Sequence, residues 1–213
     1  MERVFIFLYG AELPVFMKLN PKPSEPIICA DSGILLAKKL RYNPKNVVLI
    51  GDLDSVAKKD LEWCVKNKFK ILKHPINKDF TDGHLALNYA CKNYSNKTEK
   101  IVIGGVTNLL DHTLGNILPA VPFVKKGHQI KILNKRQNIY LSDNQIKIVD
   151  CDKHTISLIP LKETFLIKTK GLKWKLDNEI ISPYQSKTLR NLAVDSEVYV
   201  NIRSGILMVI EAW

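Results

Sequence analysis

The chain has 213 residues, 46% of them hydrophobic and 25% charged, with a formal net charge of +11. These proportions exclude a disordered, collagen-like or disulfide-scaffold chain, and no apolar run approaches the ~18 residues of a membrane-spanning helix. The positive charge would suit an anionic partner, but the lysines (Lys66, Lys68, Lys70 and Lys73, then Lys125, Lys126, Lys131 and Lys135) fall in short mixed groups. No basic-and-aromatic motif of a nucleic-acid surface accompanies them, so a solvated basic surface is expected, with neither a nucleic-acid nor a membrane partner.

The chain opens on an apolar run, Val4 to Leu8, too short and too early for a signal peptide, which reads as a first strand. Further short runs of buried character follow at Ile27 to Ala30, Val47 to Ile50, Phe69 to Leu72, Ile101 to Ile103 and Ile130 to Leu133. Between them Leu61, Cys64 and Val65 recur at helical spacing, as do Leu85 with Tyr89 and Ala86 with Ala90. Strand-helix alternation predicts an α/β domain whose parallel sheet is flanked by helices, Rossmann-like in plan, over residues 1–134. After Asn134 the period shortens. Asn138 to Leu141, Gln145 to Val149, Thr155 to Ile159, Thr164 to Ile167, Glu197 to Ile202 and Ile206 to Ile210 read as strands of a smaller all-β sandwich domain, residues 135–213. Cys29, Cys64, Cys91 and Cys151 stand singly, without zinc or redox spacing, and are expected as buried reduced thiols in a cytoplasmic protein.

In a parallel α/β sheet the binding residues lie in loops beyond the C-terminal strand ends. Four such loops carry acids here. Ile27 to Ala30 runs into Asp31-Ser32-Gly33, and Val47 to Ile50 into Gly51-Asp52-Leu53-Asp54-Ser55. The strand near Ile71 leads to Lys78-Asp79-Phe80-Thr81-Asp82, where Thr81 can cap a helix. Ile101 to Ile103 leads through Gly104-Gly105 to Asp111-His112 and Asn116 at another helical segment. Each loop alone reads as ordinary turn chemistry. Together they place Asp31, Asp52, Asp54, Asp79 and Asp82 on one rim with Lys78, which solubility does not explain in a chain of charge +11. A metal-nucleotide site does: carboxylates hold Mg²⁺, while lysine and helix N-termini hold phosphate oxygens. No Walker-type loop is present, so the phosphate cradle is of another kind.

These motifs resemble thiamine pyrophosphokinase in order and approximate spacing. The resemblance continues at Thr169-Lys170-Gly171-Leu172-Lys173-Trp174-Lys175-Leu176, similar to the family's lysine-glycine-leucine-lysine-tryptophan segment. It implies a thiamine diphosphokinase that moves pyrophosphate from ATP to thiamine, releasing AMP. An α/β ATP-binding domain would precede a β-sandwich that binds thiamine and dimerises, the pocket lying where two subunits of a homodimer meet. By the same analogy Asp52, Asp54 and Asp82 are the catalytic and Mg²⁺-binding acids, with Asp82 orienting the attacking hydroxyl. Asp31, Ser55, Lys78, Asp79, Thr81, Asp111, His112 and Asn116 line the ATP and substrate pocket. Trp174 and Asn191 reach thiamine from the second domain. The chain departs from the family in having Thr107-Asn108-Leu109 in place of a Gly-Gly-Arg run, where Lys78 or Lys73 could substitute. It departs again at Thr188-Leu189-Arg190-Asn191, which keeps only the asparagine of a serine-asparagine segment. The alternative is another Mg²⁺-dependent nucleotide phosphotransferase or phosphohydrolase acting on a related substrate.

Overall fold

The computed structural model describes residues 2–13, 21–22, 24–77 and 79–213. The chain divides into two compact units, Met1–Lys135 and Arg136–Trp213.

In the first unit, strands β1 (Arg3–Phe7), β2 (Ile27–Ala30), β3 (Val47–Gly51), β4 (Lys70–Lys73), β5 (Glu99–Ile103) and β6 (Ile130–Leu133) are all parallel, in the order β6-β5-β1-β2-β3-β4. The chain builds outward from β1 to β4, then returns to the other side of β1 for β5 and β6. That reversal creates the crevice in which open α/β sheets bind ligands. Helices α1 (Ile34–Lys39), α2 (Lys58–Lys66), α3 (Asp82–Asn93), α4 (Leu110–Ile117) and α5 (Val121–Val124) connect the strands.

Continuous apolar strands are what a sheet covered on both faces requires. Phe5, Phe7, Ile27, Cys29, Val47 and Leu49 pack into one cluster with Ile34 and Ala37 of α1 and Cys64 of α2. Ile6, Ile28 and Ile50 alternate with them and are equally buried, on the face covered by Ala86, Leu87 and Ala90 of α3. The entry to α1 is so close that a Cβ on Gly33 would lie 2.0 Å from the Phe7 carbonyl oxygen. Only glycine permits this approach, which seats the Asp31–Gly33 turn directly over the end of β1.

The second unit pairs two antiparallel sheets. Its strands are β7 (Gln137–Ser142), β8 (Gln145–Val149), β9 (Thr155–Pro160), β10 (Thr164–Lys170), β11 (Asp177–Ile181), β12 (Asn191–Leu192), β13 (Glu197–Ser204) and β14 (Leu207–Ala212). One sheet runs β12-β9-β14-β7 and the other β11-β10-β13-β8. Ile156, Leu158, Leu207 and Val209 from the first meet Ile146, Leu166, Val198 and Val200 from the second in a shared core. At one end of that core the buried Glu211 carboxylate accepts hydrogen bonds from Asn138 Nδ2 at 2.9 Å and Tyr140 Oη at 2.7 Å, and pairs with His154 Nδ1 at 2.8 Å. A buried carboxylate is tolerated only when so satisfied.

All four cysteines are free and buried, as their spacing predicts. The structure adds elements that periodicity did not mark. Helix α1 has only six residues, too few for a recurring pattern, and β11 and β12 are short and polar. No helix among the described residues is long and apolar enough to cross a membrane.

Candidate active site

Five strand ends of the first unit surround a cleft of about 640 Å³. Leu8 and Tyr9 follow β1, Asp31 and Ser32 follow β2, and Asp52 and Ser55 follow β3. Ile76, Asp79, Phe80, Thr81, Asp82 and Gly83 follow β4, and Asp111, His112, Gly115 and Asn116 come from α4 beyond β5.

Within the cleft Asp31, Asp52 and Asp82 each offer a carboxylate oxygen within 4.8 Å of the others. Local backbone geometry produces this convergence. Asp31 adopts φ +43°, a conformation uncommon for a residue with a side chain, at the entrance to the turn that leads into α1. The Leu53 amide, on a residue at φ +68°, donates to Asp31 Oδ1 at 3.2 Å and ties the β2 and β3 loops together. Gly51 between them has φ +149°, and a Cβ there would lie 1.8 Å from Asp31 Oδ1 and 3.0 Å from Asp82 Oδ1. Asp82 opens α3, whose N-cap Thr81 accepts from the His84 amide at 3.2 Å. That cap holds the first helical turn in place, with its amide ends favouring negative charge.

Burial, the Asp82 charge and, more weakly, the Asp52 charge push the Asp31 carboxyl up to about 7, against the pull of the Leu53 amide. Three carboxylates this close cannot all ionise in comfort without a cation or a proton among them. An all-oxygen, hard anionic donor set fits Mg²⁺ by its chemistry.

The sequence-derived candidates distribute unevenly. Asp31, Ser55, Asp52, Asp79, Thr81, Asp82, Asp111, His112 and Asn116 all line the cleft. Asp54 does not: it is exposed, outside the three-acid cluster, and its amide donates to Asp52 Oδ1 at 3.2 Å. The positive φ at Leu53 turns the chain between the two acids, so Asp31 occupies the place beside Asp52 that adjacency suggested for Asp54. Lys78 lies outside the described residues. Lys73 lines a different cleft with His74, Tyr89 and Lys92. Asn116 points its amide inward, donating from Nδ2 to the Gly105 carbonyl at 2.9 Å, and so fixes the glycine turn against α4. The Thr107-Asn108-Leu109 segment is an ordered lead into α4, with the Thr107 amide donating to Thr113 Oγ1 at 3.0 Å and the Leu109 amide to Thr107 Oγ1 at 3.1 Å.

Leu8, Tyr9, Ile76 and Phe80 form the apolar part of the wall and were not among the candidates. The strand-end rule alone could have found Leu8 and Tyr9, since they follow β1. Phe80 stacks edge-on to His84, ring centroids 4.6 Å apart.

In the second unit Trp174 is 57% exposed, and the Lys173 ammonium lies 4.9 Å from its ring centroid. Asn191 is 6% exposed. Its Oδ1 accepts from the amides of Trp174 at 3.1 Å and Leu192 at 2.9 Å, and its Nδ2 donates to the Trp174 carbonyl at 2.7 Å. Thr188 is also turned inward, donating from Oγ1 to the Leu158 carbonyl at 2.5 Å.

Comparison with known proteins covers both units. The family model described as "Thiamin pyrophosphokinase, catalytic domain" matches residues 19–132, and "Thiamin pyrophosphokinase, vitamin B1 binding domain" matches residues 143–207. A curated Bacillus subtilis relative, named thiamine pyrophosphokinase, is 28% identical over 78% of this chain and 78% of its own. One from Oryza sativa, named thiamine pyrophosphokinase 1, is 24% identical over 96% and 86%. Among solved structures, the thiamine pyrophosphokinase from Bacillus subtilis superposes with a TM-score of 0.83 at 23% identity over 99% of each chain. The thiamin pyrophosphokinase from Candida albicans gives 0.75 at 16% identity, over 100% of this chain and 89% of that one.

Proposed function

The chain belongs to the thiamin pyrophosphokinase family, and from that premise we propose that it transfers the pyrophosphoryl group of ATP to thiamine, giving thiamine diphosphate and AMP. In this reaction the thiamine hydroxyl oxygen bonds to the β-phosphorus, the bond from the β-phosphorus to the α-phosphate oxygen breaks, and AMP departs with that oxygen. The observation that carries the reading is the charge of the cleft. Asp31, Asp52, Asp79, Asp82 and Asp111 line it, and no lysine or arginine does so among the described residues. Such a wall repels a bare polyphosphate and accepts one that arrives with cations.

Asp31, Asp52 and Asp82 are the residues that would hold Mg²⁺, with Asp54 at the outer edge of the same loop. When bound, the ion supplies charge neutralisation for the polyphosphate. The protein's own contribution is positioning. Asp82, at the first turn of α3, orients the thiamine hydroxyl and accepts its proton. Ser55, Asp79, Thr81, Asp111, His112 and Asn116 shape the nucleotide and thiamine pocket. Trp174 offers the flat, cationic thiamine an aromatic face, an interaction of roughly 0.5–2 kcal/mol.

Incubation with ATP, Mg²⁺ and thiamine is expected to yield AMP and thiamine diphosphate in equal amounts. Formation of ADP alone, or ATP turnover indifferent to thiamine, would overturn the assignment. We assign the protein further to a homodimer with its thiamine pocket at the subunit interface. Sedimentation at assay concentration should then give twice the 24.3 kDa chain mass, and a monomer mass would remove that part of the reading. Four free, buried thiols suit a reducing compartment, which supports a cytoplasmic location.

A further inference from the structure

Asn191 falls in the segment where sequence reasoning expects a thiamine contact, but its amide group is already committed. Both of its polar atoms face backbone. Oδ1 takes the Trp174 and Leu192 amides, and Nδ2 reaches the Trp174 carbonyl at 2.7 Å, so one side chain grips both peptide groups of a single residue. An asparagine that is 6% exposed and satisfied in this way has little capacity left for a ligand.

What it grips is the one tryptophan among the described residues that stands more than half exposed. Trp174 lies between β10 and β11, a connection that would otherwise be free to flex. It is instead stapled at several points. The Leu176 amide donates to Thr169 Oγ1 at 2.8 Å and the Thr169 amide to the Leu176 carbonyl at 2.9 Å, closing the loop at its base. The Lys173 amide donates to the Leu192 carbonyl at 2.9 Å, and the Val194 amide to the Gly171 carbonyl at 2.9 Å. Leu172 bridges Ala193. These bonds fix the backbone on either side of the tryptophan, and only Asn191 fixes the peptide groups of Trp174 itself among the described contacts. Burying Trp174 is not the purpose, since the ring remains outside the sandwich core. A backbone so tied with its ring left in solvent is a preorganised surface: the ordering entropy of the loop is spent in folding rather than on binding.

We propose that Asn191 is a positioning residue for thiamine: it acts through Trp174, holding the indole in the orientation that receives the substrate ring, and does not touch the substrate. This rests on the reading that Trp174 contacts thiamine. The lone asparagine kept from the family's serine-asparagine segment is then explained by a backbone geometry that alanine, serine or threonine cannot supply, because none carries an acceptor and a donor at that reach.

Steady-state kinetics on the full-length enzyme tests both layers. Asn191→Ala is expected to raise the KM for thiamine about tenfold, leaving kcat and the KM for ATP within about twofold, at temperatures where circular dichroism shows the variant folded. Trp174→Ala should raise the thiamine KM at least as much. The double variant should be no worse than Trp174→Ala, since the clamp has nothing left to hold. Asn191→Asp keeps the acceptor and loses the donor, so it should fall between wild type and Asn191→Ala, and it carries the same test if the alanine variant does not fold. Additive effects in the double variant would mean that Asn191 meets the substrate directly. A thiamine KM unchanged in a folded Asn191 variant would mean that the bonds serve stability only. Either result overturns the clamp while leaving Trp174 as the platform. An unchanged thiamine KM in Trp174→Ala would remove the platform and the clamp together.

Discussion

Asp82→Asn is expected to lower turnover about a thousandfold or more while making the metal-free protein more stable. Both effects come from one fact: Asp31, Asp52 and Asp82 converge to within 4.8 Å. In the proposed reaction the convergence would hold a cation and the attacking hydroxyl at one point. The metal-free fold bears its cost. Burial, then the Asp82 charge, raise the Asp31 carboxyl from an ordinary value near 4 to about 7, so between those limits the folded state binds a proton that the unfolded chain has released. Stability therefore falls as pH rises through that window, and the full loss is present above pH 7. Replacing Asp82 by a neutral isostere removes the charge contribution but not the burial. Thermal melts without divalent cations should place the variant above wild type at pH 8, with the gap closing toward pH 4. Added Mg²⁺ should raise the melting temperature of wild type more than that of the variant. A variant that keeps wild-type turnover, or one that is less stable than wild type at pH 8 and equally so at pH 4, would show that the three acids do not act as one site.

Gly51→Ala tests the same cluster from the backbone side and is expected to reduce activity at least about a hundredfold. The φ of +149° at Gly51 is one that side-chain-bearing residues rarely adopt, and a Cβ there would stand 1.8 Å from Asp31 Oδ1 and 2.7 Å from its Cγ. The Asp31 carboxylate would have to leave, surrendering the hydrogen bond from the Leu53 amide at 3.2 Å that joins the two loops. The backbone strain alone should cost about 1–3 kcal/mol of stability. The informative readout is Mg²⁺ binding by calorimetry, which should weaken in parallel with turnover at temperatures where the variant is folded. Wild-type Mg²⁺ affinity in Gly51→Ala would show that Asp31 does not belong to the cation site.

Much of the arrangement is legible in the order of residues along the chain. Strand-helix alternation implies a parallel sheet, parallel strands put all their C-terminal ends on one edge, and the acids after Ala30, Ile50, Ile76 and Gly105 are thereby brought to one rim. Nothing finer than the order of motifs is needed, because hydrogen-bonded parallel pairing leaves the loops no other side to occupy. The free, buried cysteines and the shift to short β runs after residue 134 follow from spacing and period in the same way.

Which side chains meet is a different matter, because side-chain direction depends on backbone dihedrals that residue type only weakly constrains. Asp52 and Asp54 stand one residue apart in sequence yet are turned away from each other by the φ of +68° at Leu53, while Asp31 and Asp82, remote in sequence, complete the cluster. Asn116 lines the cleft while donating from Nδ2 to the Gly105 carbonyl, whereas the fold commits both polar atoms of Asn191 to the Trp174 and Leu192 backbone. The sequence by itself determined the architecture, the sheet edge on which the acids gather and the family, since these depend on periodicity and on motif order along the chain. Only the tertiary structure decided the membership of the acid cluster and the inward turn of Asn191, because both are set by approaches of a few ångströms between segments that the linear chain keeps apart.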